Sequence, residues 1–324
     1  MLFKNYFDNL GYDKEKGARL SYGGASIAVL SVWVVTILCQ LLIQLILSFF
    51  PEARSALLSS KSFIWIASFA PEYFVALPFS LWIFNKFPKD NFQSYKLGEK
   101  NFFDILVSCF PIIYIGNLLG IYLSKLLTGG TAINSVDALA NERGIIKFLC
   151  LVVLAPITEE LIFRKGIIDC VSSYGEKSAI IFSALAFGLF HMNLFQFFYA
   201  FGIGLVFGYV YTRTRSIGYT IIMHGIINFL GGVFLPFVAQ LIPEDASAMA
   251  ITSFRYYLVS ITGFASIFFM FLGVFTLTRK LRELIFCPRE NELQPKRAFK
   301  VIYLSPVVIL FIAFCVVNMI INLK

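Results

Sequence analysis

Histidine is almost absent from this chain, and charge is thin. Two of 324 residues are His and 14% are Asp, Glu, Lys or Arg, against 58% hydrophobic residues and a mean hydropathy of +0.79. That balance excludes an ordinary soluble domain and implies an integral helical membrane protein. The six cysteines (39, 109, 150, 170, 287 and 315) form no CxxC pair and no zinc-type spacing. They imply no disulfide framework and read as small core hydrophobes. There is no H-E-x-x-H, no low-complexity tract and no long-period repeat. The polar stretch Lys4–Tyr22 precedes the first apolar run without a small-residue cleavage site, so no cleavable signal is expected. The last residues, Ile321 to Lys324, are not a lipidation signal. A net charge of +8 would suggest nucleic acid in a soluble protein. Here the basic residues lie between apolar runs and act as topology determinants, so no nucleic-acid partner is expected.

What is present in quantity is apolar sequence. Runs long enough to cross a bilayer fall at about 23–50, 62–85, 102–126, 144–168, 178–193, 196–212, 217–241, 254–278 and 301–322. The expected fold is all-α: a polytopic transmembrane bundle of nine spans, or eight if one is re-entrant. Residues 1–22 form a cytoplasmic or interfacial N-terminal segment, and 23–322 a single transmembrane domain. With the N-terminus inside, twenty of the 27 Lys and Arg residues fall in cytoplasmic segments, seven of them in 279–300 alone. That bias places the N-terminus in the cytoplasm. Gly204 and Gly208, four apart in the sixth run, read as a helix-packing face.

Against this background the rare polar residues stand out. His191 ends Phe187-Gly188-Leu189-Phe190-His191, and His224 opens His224-Gly225-Ile226-Ile227-Asn228. Upstream lie Glu159 and Glu160, with Arg164 four residues later. Ionisable groups in hydrocarbon usually face a protein interior or a wet cavity and mark function. At 1.5 Å per residue, Glu159 lies about 15 Å from the cytoplasmic end of its run, His191 about 20 Å, His224 about 12 Å and Asn228 about 18 Å. Groups on three helices therefore fall at one level, which puts the active site at mid-membrane depth.

Spacing suggests roles. Glu160 and Arg164 are i,i+4 with the acid first, the favoured orientation for a helical ion pair, and each neutralises the other. Glu159 points about 100° away and has no partner on its own helix. His224 and Asn228 are also i,i+4 and aim at one point. Glu159 with His191 would hold and deprotonate a water, while His224 and Asn228 stabilise the oxyanion formed when that water attacks a carbonyl. A competing chemistry uses the same side chains as ligands: Glu159, His191 and His224 around a divalent metal such as zinc. Metal-free water activation is the preferred reading, with no firm cofactor.

The motifs E-E-x3-R, F-x3-H and H-x3-N, all complete and in this order, resemble those of the CAAX-type prenyl-endopeptidase and bacteriocin-processing family of intramembrane proteases. The likeness covers about 140–235, the expected catalytic core, and the text around Glu159-Glu160-Leu161-Ile162-Phe163-Arg164 resembles the bacterial branch. The resemblance implies a membrane protease in which Glu159 and His191 activate water. It implies that His224 and Asn228 form the oxyanion site, and that Glu160 and Arg164 organise it. It implies a peptide or protein substrate at the membrane, contact with lipid, and a bacterial cytoplasmic membrane, where members serve peptide maturation and bacteriocin immunity. A non-catalytic immunity or scaffold protein that binds a peptide or partner is the alternative. A solute transporter is disfavoured by the lack of inverted repeats.

Overall fold

The apolar runs fold as helices. The computed structural model describes residues 13–89, 94–134, 144–242 and 254–323, and every regular element among these residues is helical. Helix α1 (Lys14–Ser48) starts where the Asp13 carboxylate accepts hydrogen bonds from the N–H groups of Glu15 and Lys16. Gly17, Ala18, Ser21 and Tyr22 on its first turns are buried. The described part of the N-terminal segment thus runs unbroken into the first span, while residues 1–12 lie outside the described residues. Next come α2 (Pro51–Leu58) and α3, which runs from Lys61–Pro71 through a π-helical stretch, Glu72–Ala76, into Leu77–Phe84. Helix α4 is Glu99–Leu127.

Helix α5 is a composite. It passes from Ile145–Phe148 through the π stretch Leu149–Leu154, the α turn Ala155–Glu160 and a second π stretch, Leu161–Ile168. Asp169–Val171 and a 3-10 turn, Ser172–Tyr174, complete it. Helix α6 (Glu176–Phe190) and α7 (Leu194–Thr214) form a hairpin, followed by α8, Ile217–Phe229 continued by Leu230–Phe234 and Leu235–Ala239. Helices α9 (Phe254–Arg282), α10 (Pro295–Tyr303) and α11 (Pro306–Ile321) complete the order.

Six of these helices are long and apolar enough to cross a membrane: α1, α3, α4, α7, α8 and α9. The pair α10 and α11, bent by 68°, is a seventh if it counts as one span. The runs expected as the fourth and fifth spans, 144–168 and 178–193, are not among them. Their physical character differs. Helix α5 is interrupted by π stretches and carries Glu159, Glu160, Arg164 and Lys165, and α6 has only 15 residues, about 22 Å of helix. Apolar side chains are exposed along the bundle, above all on α9, as suits an integral membrane protein.

Small residues let the helices around the site approach closely. A Cβ added at Gly204 would lie 2.9 Å from the Cα of Ala184, so α6 and α7 meet backbone to backbone at the face expected for Gly204 and Gly208. On the other side of α7, a Cβ at Gly116 of α4 would lie 2.5 Å from the nitrogen of Tyr199. Two buried carboxylates tie the opposite ends together. Asp169 of α5 accepts from Tyr211 Oη at 2.7 Å and Arg215 Nη1 at 2.6 Å. Glu176 at the start of α6 pairs with Arg213, and with Arg289 at 3.2 Å, and accepts the Cys287 N–H at 3.0 Å. The connection between α9 and α10 is thereby strapped across the ends of α6 and α7.

Candidate active site

The sequence of α5 explains why its backbone is irregular beside the site. Pro156 has no N–H, and the N–H of Ala155 bonds back to the carbonyl of Cys150, five residues earlier. The Leu151 carbonyl therefore finds neither its i+4 nor its i+5 partner within the helix. Asn228 of α8 supplies one, its Nδ2 donating to Leu151 O at 2.9 Å. The second π stretch is met in the same way from another helix: Ser183 of α6 donates its hydroxyl to Phe163 O at 2.6 Å. Side chains of neighbouring helices thus lock both irregular stretches flanking Glu159 and Glu160.

The two acids point in different directions. Glu160 is fully buried, with Oε2 3.0 Å from Nε of the equally buried Arg164. Its other oxygen, Oε1, lies 3.0 Å from His224 Nδ1. A carboxylate oxygen accepts, so Nδ1 carries the proton, leaving Nε2 of His224 as the free position of the ring. That nitrogen lies 3.6 Å from Glu159 Oε2, beyond a direct hydrogen bond. Thr220, one turn before His224, also stands against the Glu160 carboxylate. Glu159 is 15% exposed, whereas Glu160 is wholly enclosed.

His191 terminates α6. Its Nδ1 lies 2.9 Å from the Phe187 carbonyl, which only accepts, so Nδ1 carries a proton in this ring too, and Nε2 is the position left for another partner. The Phe187 ring stands edge-on between the two histidines, 5.0 Å from His191 and 5.7 Å from His224, centroid to centroid. The guanidinium of Arg164 lies over Phe187 at 4.6 Å and Phe207 at 5.5 Å. Phe187 therefore spaces the imidazoles and shields the buried cation.

The structure thus brings Glu159, Glu160, Arg164 and His224 together directly, with His191 joined through Phe187. Asn228 sits one turn beyond His224, engaged with α5. Glu159 and His191 are not in direct contact, and the nearest histidine nitrogen to Glu159 belongs to His224. Among the described residues no group of three His, Cys, Asp or Glu side chains lies close enough together to hold a metal ion. Residues given no role from sequence also enter: Phe207, Thr220, Tyr199 and Glu72. The last two lie close enough to Glu159 to interact with it electrostatically. Thr220 sits four residues before His224, a spacing that could have revealed it. Phe207 and Tyr199 gave no signal in so aromatic a chain.

Residues 141–230 match the family model described as type II CAAX prenyl endopeptidase Rce1-like. This segment is Rce1-like. It contains all seven motif residues, from Glu159 to Asn228, and supports the CAAX-type family assignment made from the three motifs. No curated protein and no solved structure matches the chain. The Rce1-like segment spans α5 to the first part of α8, the helices that carry the site, and supports a CAAX-type intramembrane protease in general.

Proposed function

We propose that the protein is an intramembrane endopeptidase that hydrolyses a peptide bond in a membrane-associated peptide or protein. The observation that carries this reading is the contact of His224 with both acids of the first motif, at 3.0 and 3.6 Å, inside an apolar bundle. Glu159, the more exposed acid, is the general base for a water that His191 Nε2 helps to hold. The proton taken by Glu159 passes to the leaving amine as the tetrahedral intermediate collapses. Glu160 fixes the His224 ring through Nδ1, so Nε2, when protonated, donates to the developing oxyanion. Asn228 adds its second N–H, its first being held by Leu151 O. Arg164 balances Glu160 and touches no reacting atom.

The proposal includes nine crossings, with α5 and α6 completing the set and the site at mid-membrane depth. It places the N-terminus in the cytoplasm and the protein in a bacterial cytoplasmic membrane. Water activation proceeds here without a metal. Glu159→Ala, His191→Ala and His224→Ala are each expected to abolish cleavage at unchanged membrane abundance, and a divalent chelator is expected to leave wild-type turnover intact. Comparative peptidomics of cells expressing wild type or Glu159→Ala provides the test. A peptide terminus present only with wild type supports proteolysis and identifies a substrate, whereas identical peptide pools with both proteins folded favour a peptide-binding or immunity role.

A further inference from the structure

The histidine of the second motif opens a connection of three residues, and the last helix of the bundle reaches into it. Helix α6 ends at Phe190 and α7 begins at Leu194, which leaves His191, Met192 and Asn193 to reverse the chain. Met192 does so with a φ of 47°, a left-handed conformation that costs any residue with a Cβ and that glycine takes freely. Such a conformation persists only where the surroundings fix it from several sides. On one side the Met192 N–H bonds back to Leu189 O of α6 at 3.0 Å. On the other, Asn193 caps α7, its Oδ1 accepting from the Phe195 N–H at 2.9 Å. The Met192 carbonyl is held by neither helix. Asn322, at the C-terminal end of α11, donates to it through Nδ2 at 2.9 Å. A carbonyl only accepts, so the bond itself fixes which atom of the Asn322 amide is the nitrogen.

Asn322 is 130 residues from Met192 in sequence, outside the Rce1-like segment 141–230 and outside all three motifs. Two asparagines stand one turn apart on α11, and they hold different things. Asn318 bonds within its own helix, Nδ2 to Phe314 O at 2.8 Å, whereas Asn322 crosses to the connection between α6 and α7. Met192 and Met319 of α11 are buried in one core, so this end of α11 is seated where the chain turns. One peptide bond before Met192 is His191, whose ring is directed by its Nδ1 bond to Phe187 O. The ring is thus oriented from α6, while the backbone that leaves it is held from α11.

We propose that Asn322 is a positioning residue for His191: by holding the Met192 carbonyl it keeps the left-handed turn closed and sets where His191 Nε2 meets the water. The inference deepens, and rests on, the hydrolytic reading of His191. The chain has only two histidines, so nitrogen-15 labelling of histidine in the purified full chain gives two imidazoles, and His191 is assigned by its loss in His191→Gln. Asn322→Leu keeps the approximate size of the side chain and removes the donor. Its His191 resonances are expected to shift or split while those of His224 stay, with kcat falling about 10-fold and KM nearly unchanged. Adding Met192→Gly, which takes the turn without the clamp, is expected to restore the resonances and most of kcat. Asn318→Ala is expected to leave the His191 resonances at their wild-type positions. Unmoved His191 resonances in Asn322→Leu would overturn the clamp, and moved resonances with full turnover would overturn the positioning role. The same change in Asn318→Ala, or no recovery with Met192→Gly, would reduce the effect to a general loosening of α11 and overturn it too. Continued cleavage by His191→Gln would instead remove the hydrolytic reading of His191, a failure separable from the others because the resonances are read without substrate.

Discussion

Arg164 shows how one residue supports a reactive site without taking part in the chemistry. Its guanidinium is wholly buried, and its cost is offset by one carboxylate, Glu160, and two aromatic faces. Breaking a buried pair from one side strands a charge and costs about 3–5 kcal/mol, whereas replacing both partners with apolar residues is often tolerated. Arg164→Met alone should therefore lower thermal stability in detergent sharply. Glu160→Leu/Arg164→Met should recover much of that loss yet remain inactive, because Glu160 also holds His224 Nδ1. Recovery of activity by the double variant would show that the pair does not orient the histidine. The pairing of Glu160 with Arg164 was legible from i,i+4 spacing. The pairing of Glu160 with His224 was not, because nothing in the sequence tells which of two adjacent acids faces a third helix.

At the scale of elements, the site depends on irregular backbone in α5. The apolar run and its acids could be read from the sequence, since these depend on composition alone. Its two π stretches could not, because side-chain patterns do not report which carbonyl loses its partner. The exception is Pro156, whose missing N–H is visible in the sequence and exposes the Leu151 carbonyl that Asn228 covers. Asn228 thus has a structural role beside its proposed catalytic one. Asn228→Ala leaves a buried carbonyl unsatisfied and should cost about 1–3 kcal/mol of stability on top of the activity lost. Asn228→Ser, a shorter donor, should separate the two effects, recovering stability more than turnover. If Asn228→Ala melts like wild type, the Leu151 bond is not a stabilising contact. The end of α6 falls at the tight turn that joins the two short runs 178–193 and 196–212. The run 178–193 looks uniform, yet the helix stops at Phe190 so that His191 and the left-handed Met192 (φ 47°) can turn into the Asn193 cap.

At the scale of the whole molecule, the basic excess on which the proposed orientation rests also builds the strap between α9 and α10. Arg213 and Arg289 converge on Glu176 and Cys287, with Arg213 Nη1 donating to Cys287 Sγ at 3.2 Å. This hydrogen bond, helped by the charges of Arg213 and Arg289, holds the Cys287 thiol below its ordinary pKa. The thiolate is the nucleophile, so a lowered pKa keeps Cys287 reactive at pH values where an ordinary cysteine is mostly protonated. Four of the six cysteines are buried, which leaves Cys287 and the half-buried Cys39 as the accessible thiols. In wild type compared with Cys287→Ser, a membrane-impermeant maleimide should label Cys287 from the cytoplasmic side only, and the labelling rate should persist toward lower pH. Arg213→Gln should move that profile to higher pH. Labelling from the outer face would reverse the proposed orientation, and with it the side from which Glu159 and His224 are counted. An unshifted profile in Arg213→Gln would instead show that the strap does not bring this arginine to the thiol.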